Sequence, residues 1–239
     1  MPRTALDVIA FDADDTLWHS ECYYREAQDR FLEILAPYLP DSTPALDILH
    51  EIEIRNLPHF GYGIKGFVLS MVEAAVQATR GAVPAGAIQA IVEIGRAMTR
   101  HEIRLLDHAQ ETVARLAESH RLMLITKGDL MDQERKIAAS GLARYFAAVE
   151  IVSDKTPAVY QALLQKHNAN PERFLMVGNS LRSDVLPVIA LGGWGVYVPY
   201  ELTWAHEHVE DAPVVPDRFF ELANLGALPD LVAQIEAQR

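Results

Sequence analysis

Cysteine is nearly missing from this chain of 239 residues: Cys22 stands alone. A single thiol can close no internal disulfide and build no thiolate zinc cluster, so the fold must be held by burial. Basic residues are also short in number. Lys and Arg total 21 against 33 Asp and Glu, a formal charge of −12. That balance disfavours nucleic acid and anionic membranes as partners. No apolar run approaches the roughly 20 residues that a spanning helix needs. Asp7, Asp12, Asp14 and Asp15 interrupt any apolar leader core near Arg3, so a cytoplasmic protein is expected. There is no internal repeat and no low-complexity tract, and the lack of a G-x-x-x-x-G-K-[ST] stretch argues against a nucleoside triphosphatase of the P-loop kind. Gly192-Gly193-Trp194-Gly195 precedes a strand pattern instead of joining a strand to a helix, so it is no dinucleotide fingerprint. What is present is a half-hydrophobic chain with 23% charged residues, enough to bury one large or two modest cores.

The periodicity divides the chain. Val8–Phe11 has strand length and β-branched content. Residues 21–38, 45–56, 64–80 and 84–100 then carry apolar stripes at helical spacing, with Gly81 and Pro84 as punctuation. From residue 105 short apolar strands alternate with helices. Strands are expected at 122–126, 147–152, 174–177 and 194–198, with a weak last one near 219–222. Helices are expected at 107–119, 130–140, 157–166, 184–191 and 229–238. Alternation of this kind predicts an α/β fold, a Rossmann-like parallel sheet with helices on both faces. An all-helical domain over 18–104 interrupts it, leaving a discontinuous core of 1–17 and 105–239.

The most informative stretch is Asp12-Ala-Asp14-Asp15-Thr16-Leu17, directly after the first strand. Acids that end an apolar strand sit at the carboxyl edge of the sheet, where open α/β folds bind ligands. Two carboxylates so close repel unless one is protonated or a cation lies between them. An oxygen-seeking ion such as Mg²⁺ resolves the conflict. Alone, D-x-D reads equally as an Asx turn. Three later segments add to it. Thr126-Lys127-Gly128 ends a strand with a hydroxyl, a cation and a glycine; Lys155 stands just before Pro157 and a helix; and Gly178-Asn179-Ser180-Leu181-Arg182-Ser183-Asp184 follows another strand.

These four segments, in this order, resemble the signatures of the haloacid dehalogenase-like hydrolase superfamily, whose members are mostly phosphatases. The resemblance spans the whole α/β core. It implies Asp12 as nucleophile and Asp14 as general acid and base. It further implies that Thr126, Lys127 and Lys155 bind the phosphoryl group, and that Asp12, Asp14, Asn179 and Asp184 form a Mg²⁺ site. Asn179 stands where the family usually has an acid. Either its amide oxygen ligates the metal with one charge fewer, or Asp184 takes a larger share, directly or through water. The helical insertion resembles the family's cap.

The implied activity is Mg²⁺-dependent hydrolysis of a small phosphorylated metabolite through an aspartyl-phosphate. Phosphomutase and 2-haloacid dehalogenase share the fold, and Asp14 argues against the second because halide needs no proton donor. A non-catalytic phosphate or metal binder has only Asn179 in its favour. The sequence fixes no oligomeric state and no substrate. Within the helical insertion, Asn56–Gly66 is expected as a Gly-rich loop, with His59, Tyr62 and Lys65 facing substrate. Asp15 is expected as a turn acid, Cys22 as a packed residue, and His206-Glu207-His208 as a solvated loop instead of a metal pair.

Overall fold

The computed structural model describes residues 6–40, 43–202, 204–207 and 217–237. It divides into two compact units. One comprises Met1–Glu21, Ile103–Lys127 and Glu134–Arg239; the other comprises Cys22–Glu102 and Gly128–Gln133.

The first unit is built on a parallel sheet of six strands: β1 Val8–Phe11, β2 Arg121–Lys127, β3 Ala148–Val152, β4 Phe174–Gly178, β5 Trp194–Tyr197 and β6 Phe219–Glu221. Their order is β3-β2-β1-β4-β5-β6, and every pairing is parallel. β1 is central and all four of its residues are buried. A strand covered on both faces needs apolar side chains on both, and Val-Ile-Ala-Phe supplies them. Alternation then sorts the core into two layers. Ile9, Phe11, Leu124 and Val177 face one way, packing with Val113 of helix α5 (Ala109–Ala117). Val8, Ala10, Met123 and Met176 face the other, packing with Leu163 and Leu164 of α7 (Pro157–Lys166). The weak strand near 219–222 is present as β6, paired parallel to β5. The helix expected over 184–191 starts differently: a π turn, Leu181–Val185, leads into a single α turn, α8 (Leu186–Ile189).

The second unit contains α1 (Glu21–Leu35, whose first residue belongs to the sheet unit), α2 (Ala45–Phe60), α3 (Ile64–Ala78) and α4 (Ala85–Met98). Phe31, Leu49, Ile52, Phe67, Met71 and Ile91 are among the residues of its own core. The loop expected over 56–66 is far shorter. α2 runs on to Phe60 with Pro58 inside its last turn, and only Gly61–Gly63 connects it to α3. Proline lacks one donor and is costly in a helix interior, which is why the sequence pattern breaks there. Here helix geometry persists to a break at Gly61, whose φ is +69° and whose N–H reaches the Leu57 carbonyl at 2.9 Å.

Helix α6 (Leu130–Ser140) follows β2. Its buried positions include Asp132, Gln133, Lys136 and Ile137, an unusually polar stripe for a buried face.

Candidate active site

The chain leaves β1 at the middle of the sheet. β2 and β3 lie on one side of it, and β4, β5 and β6 on the other. That reversal of strand order opens a crevice at the carboxyl edge. Phe11 pairs with Leu124 of β2 and Val177 of β4, and the Asp12 N–H continues to the Val177 carbonyl at 2.8 Å. Asp12, Thr126 and Asn179 therefore leave the same edge of three adjacent strands.

Asp12 is 7% exposed. Its Oδ1 accepts from Lys155 Nζ at 2.5 Å and its Oδ2 from Thr16 Oγ1 at 3.0 Å. Lys155 comes one residue before the N-cap of α7, where the Thr156 hydroxyl accepts from the Val159 N–H and Pro157 starts the helix. This cap fixes where the ammonium emerges. Its Nζ also donates to Asp184 Oδ1 at 2.7 Å, and Asp184 Oδ2 accepts from the Ser180 N–H at 3.0 Å. Burial alone would lower the Lys155 pKa, but the Asp12 and Asp184 carboxylates outweigh it and raise it. Burial pushes Asp184 up to about 7; Lys155 opposes the rise and Asp12 adds to it. Thr16 links this cluster to Asn179: its Oγ1 lies 3.3 Å from Asn179 Oδ1 and accepts from the Asn179 N–H at 3.1 Å.

Asp14 forms the second cluster. Lys136 Nζ reaches its two oxygens at 2.9 and 2.7 Å, and Trp18 Nε1 donates to Oδ1 at 2.7 Å. The neighbouring Asp15 is a turn acid, as expected. Its φ is +61°, and its carboxyl accepts from the N–H groups of Ser20 and Glu21 where α1 begins. Burial, with the Asp14 charge beside it, pushes the Asp15 pKa up to about 8.

A third cluster corrects the sequence reading. Glu207 is not in a solvated loop. Its side chain is 11% exposed and accepts from Lys127 Nζ at 2.5 Å, Ser180 Oγ at 2.5 Å and Ser183 Oγ at 2.6 Å. Burial would raise its pKa, but the Lys127 charge and these three donors bring it down to about 2. Lys127 also donates to Ser183 Oγ at 2.8 Å. Thr126, next to it, is 1% exposed. His208 and Arg3 lie outside the described residues.

Asp12, Asp14, Thr126, Lys127, Lys155, Asn179 and Asp184 thus all belong to the sheet unit, as do Thr16, Trp18, Lys136, Ser180, Ser183 and Glu207, to which sequence reasoning assigned no site role. Of these, Lys136 carried a legible signal, because it occupies a buried position of an amphipathic helix. His59, Tyr62 and Lys65 belong to the helical unit. His59 is exposed on the last turn of α2, Tyr62 is half-buried in the short connection, and Lys65 pairs with Asp129 at 2.9 Å. Cys22 is half-buried.

A cation here would have only oxygen donors. Among the described residues no three His, Cys, Asp or Glu side chains assemble as ligands. The oxygen-bearing side chains in the Asp12 cluster are Asp12, Asp184, Thr16 and Asn179. Hard oxygen donors of this kind suit Mg²⁺. Among the described residues Lys155 pairs with Asp12 and Asp184, Lys136 with Asp14 and Lys127 with Glu207.

Comparison with known proteins bears on the family and the fold. A family model described as haloacid dehalogenase-like hydrolase matches residues 6–192. A haloacid dehalogenase-like family hydrolase from Xanthomonas campestris is 42% identical, with a TM-score of 0.87 over 100% of this chain and 95% of that one. A 2-haloacid dehalogenase from Pseudomonas syringae shares the fold, with 24% identity and a TM-score of 0.64 over 96% and 99% of the two chains. The glyceraldehyde 3-phosphate phosphatase of Methanothermobacter thermautotrophicus is 30% identical over 112 residues, 42% of this chain and 49% of that protein. The chain therefore spans about half the length of the curated relative it matches. Among the described residues no helix is long and apolar enough to cross a membrane. With its signature carboxylates and lysine gathered at the switch point of a parallel sheet, and with the family model covering most of its length, the chain belongs to the haloacid dehalogenase-like hydrolases.

Proposed function

We propose that the protein hydrolyses the phosphate ester of a small metabolite through a covalent aspartyl-phosphate. The observation that carries this reading is the Asp12 carboxylate at the end of β1. It is held by Lys155 at 2.5 Å and Thr16 at 3.0 Å, with a second carboxylate two residues on. Each Asp12 oxygen accepts one of these bonds and retains a lone pair for attack. Asp12 attacks phosphorus in line as the ester oxygen leaves. Asp14 gives that oxygen its proton, then takes one from the water that cleaves the acyl-phosphate. Lys155 and the Thr126 hydroxyl oppose the charge that builds on the phosphoryl oxygens.

Asp12, Asp184 and Asn179 would hold Mg²⁺, which would add positive charge beside the phosphoryl oxygens. Asp14 favours ester hydrolysis over dehalogenation, since halide leaves without a proton. By the family resemblance, His59, Tyr62 and Lys65 of the helical unit are assigned to substrate recognition. The curated relative's name makes triose phosphates sensible first candidates.

The test is phosphate release from a panel of triose, sugar and nucleoside monophosphates, with Mg²⁺ or with chelator. Halide release from 2-chloropropionate serves as the parallel arm. Expected are Mg²⁺-dependent phosphate release, no halide release, and a loss in Asp12→Asn of at least about 10³-fold. Near-normal turnover by that variant would sink the covalent mechanism, and halide release without phosphate release would replace the proposal.

A further inference from the structure

Lys136 is a buried lysine to which the family signatures assign no task. It is 6% exposed on α6, next to Ile137 of the sheet unit's core. Taking an ammonium out of water costs several kcal/mol unless a close partner compensates. Asp14 is such a partner: its two oxygens lie 2.9 and 2.7 Å from Nζ. Trp18 grips the same carboxyl from another direction, its indole N–H 2.7 Å from Oδ1. Trp18 is itself fixed. It is fully buried, its carbonyl accepts the Asp15 N–H at 2.7 Å, and its N–H reaches the Ala13 carbonyl at 3.4 Å.

We propose that Lys136 is a positioning residue: with Trp18, it locks the torsions of the Asp14 side chain so that one carboxyl serves both proton transfers. The inference rests on the phosphatase reading above and adds to it. In the first transfer Asp14, protonated from solvent on one oxygen, gives that proton to the ester oxygen as Asp12 bonds to phosphorus and the P–O bond breaks, and Lys136 and Trp18 hold the carboxylate left behind. In the second a proton of water passes to Asp14 as the water oxygen bonds to phosphorus and Asp12 is released. Both need the same oxygen at nearly the same place. An aspartate carries its carboxyl on a single methylene, so two free torsions would sweep it through several positions. Contact with both oxygens from one side, and with one of them from another, leaves a single orientation. Lys136 acts through Asp14 and needs no contact with substrate.

The experiment compares wild type, Lys136→Met, Lys136→Arg, Asp14→Asn and the Lys136→Met/Asp14→Asn double variant. Each is assayed with Mg²⁺ on an alkyl phosphate and on p-nitrophenyl phosphate. A catalytic group displaced by about 1 Å can cost on the order of 10²-fold, so Lys136→Met should lower kcat on the alkyl ester by about 10–100-fold. The aryl oxygen leaves with little protonation, so its kcat should fall several-fold less, while KM for both esters stays within about threefold. Lys136→Arg, which keeps charge and donors, should recover most of the loss. On the Asp14→Asn background Lys136→Met should cost nothing further. Where Lys136→Met gives no folded protein by circular dichroism, Lys136→Gln, which keeps a donor, is read by the same criteria.

Equal losses on both esters, full additivity in the double variant, or an arginine variant no better than methionine would each overturn the assignment. So would an unchanged Lys136→Met enzyme, and that result would leave the phosphatase reading standing. Wild type that releases phosphate from neither these esters nor the wider panel would defeat the phosphatase reading itself.

Discussion

At the residue scale, charge pairing governs the site, and it separates what sequence can show from what it cannot. That Asp12, Asp14, Thr126, Lys155, Asn179 and Asp184 lie at or after the carboxyl ends of strands was legible, because each stands within a short local pattern. Glu207 was not: it reaches Lys127 across 80 positions in sequence, and nothing local in His-Glu-His distinguishes a buried acid from a solvated one. Its depressed pKa has a measurable consequence. A carboxylate whose pKa falls from 4.5 to about 2 on folding contributes stability fully above its ordinary value and loses it as pH drops towards 2. The contribution at neutral pH is on the order of 3 kcal/mol. Glu207→Gln should therefore unfold earlier in urea at pH 7, and its gap from wild type should narrow steadily between about pH 5 and pH 2. A gap independent of pH would mean that the carboxylate's charge is not what stabilises the cluster. Asn179 gives a second prediction. In the proposed metal site Asn179 would be a neutral ligand that leaves the site one charge short, so Asn179→Asp should lower the Mg²⁺ concentration for half-maximal activity by about tenfold. Superimposable Mg²⁺ titrations would place Asn179 outside the metal's coordination sphere.

At the scale of elements, the strands and helices were legible wherever burial imposed a clean period. α6 and α7 have their expected bounds, Leu130–Ser140 and Pro157–Lys166. Two elements departed from expectation for local reasons: α2 continues past Pro58, and the segment after β4 opens with a π turn. That turn depends on Gly178. A Cβ built there would lie 2.1 Å from Asp184 Oδ2 and 2.3 Å from its Cγ. β4 can therefore end against the Asp184 carboxylate only because position 178 carries no side chain. The contact is also why Asp184, six residues later, can reach Lys155. Gly178→Ala should push Asp184 away and cost about 1–3 kcal/mol of stability through overpacking. It should also weaken Mg²⁺-dependent turnover by well over tenfold, since a ligand displaced by about 1 Å is lost to the site. Chemical denaturation and an Mg²⁺ titration of activity measure the two effects separately. Turnover unchanged beside a stability loss would show that Asp184 does not serve the metal.

At the scale of the whole molecule, the formal charge of −12 bears on how an anionic substrate arrives. The lysines that meet the site carboxylates, Lys127, Lys136 and Lys155, are each within 2.9 Å of a carboxylate, so they project little positive field into solvent. On the proposed reading, a phosphate dianion approaching such a protein would be repelled at long range and captured at contact, by the metal and the site's donors. Salt screens the long-range part over a Debye length of about 10 Å at 0.1 M and leaves the buried contacts almost untouched. For an enzyme that steers its substrate with a positive surface, kcat/KM falls steeply as salt is added. Here the repulsion is what salt removes. At saturating Mg²⁺, kcat/KM for a phosphomonoester should stay level or rise by up to about twofold between roughly 20 and 200 mM salt. The measurement is a series of initial rates at low substrate in sodium chloride of increasing concentration. A tenfold fall over that range would mean that a positive surface guides the substrate despite the net charge. The recognition attributed to contact at the carboxyl edge would then have to be shared with groups outside it.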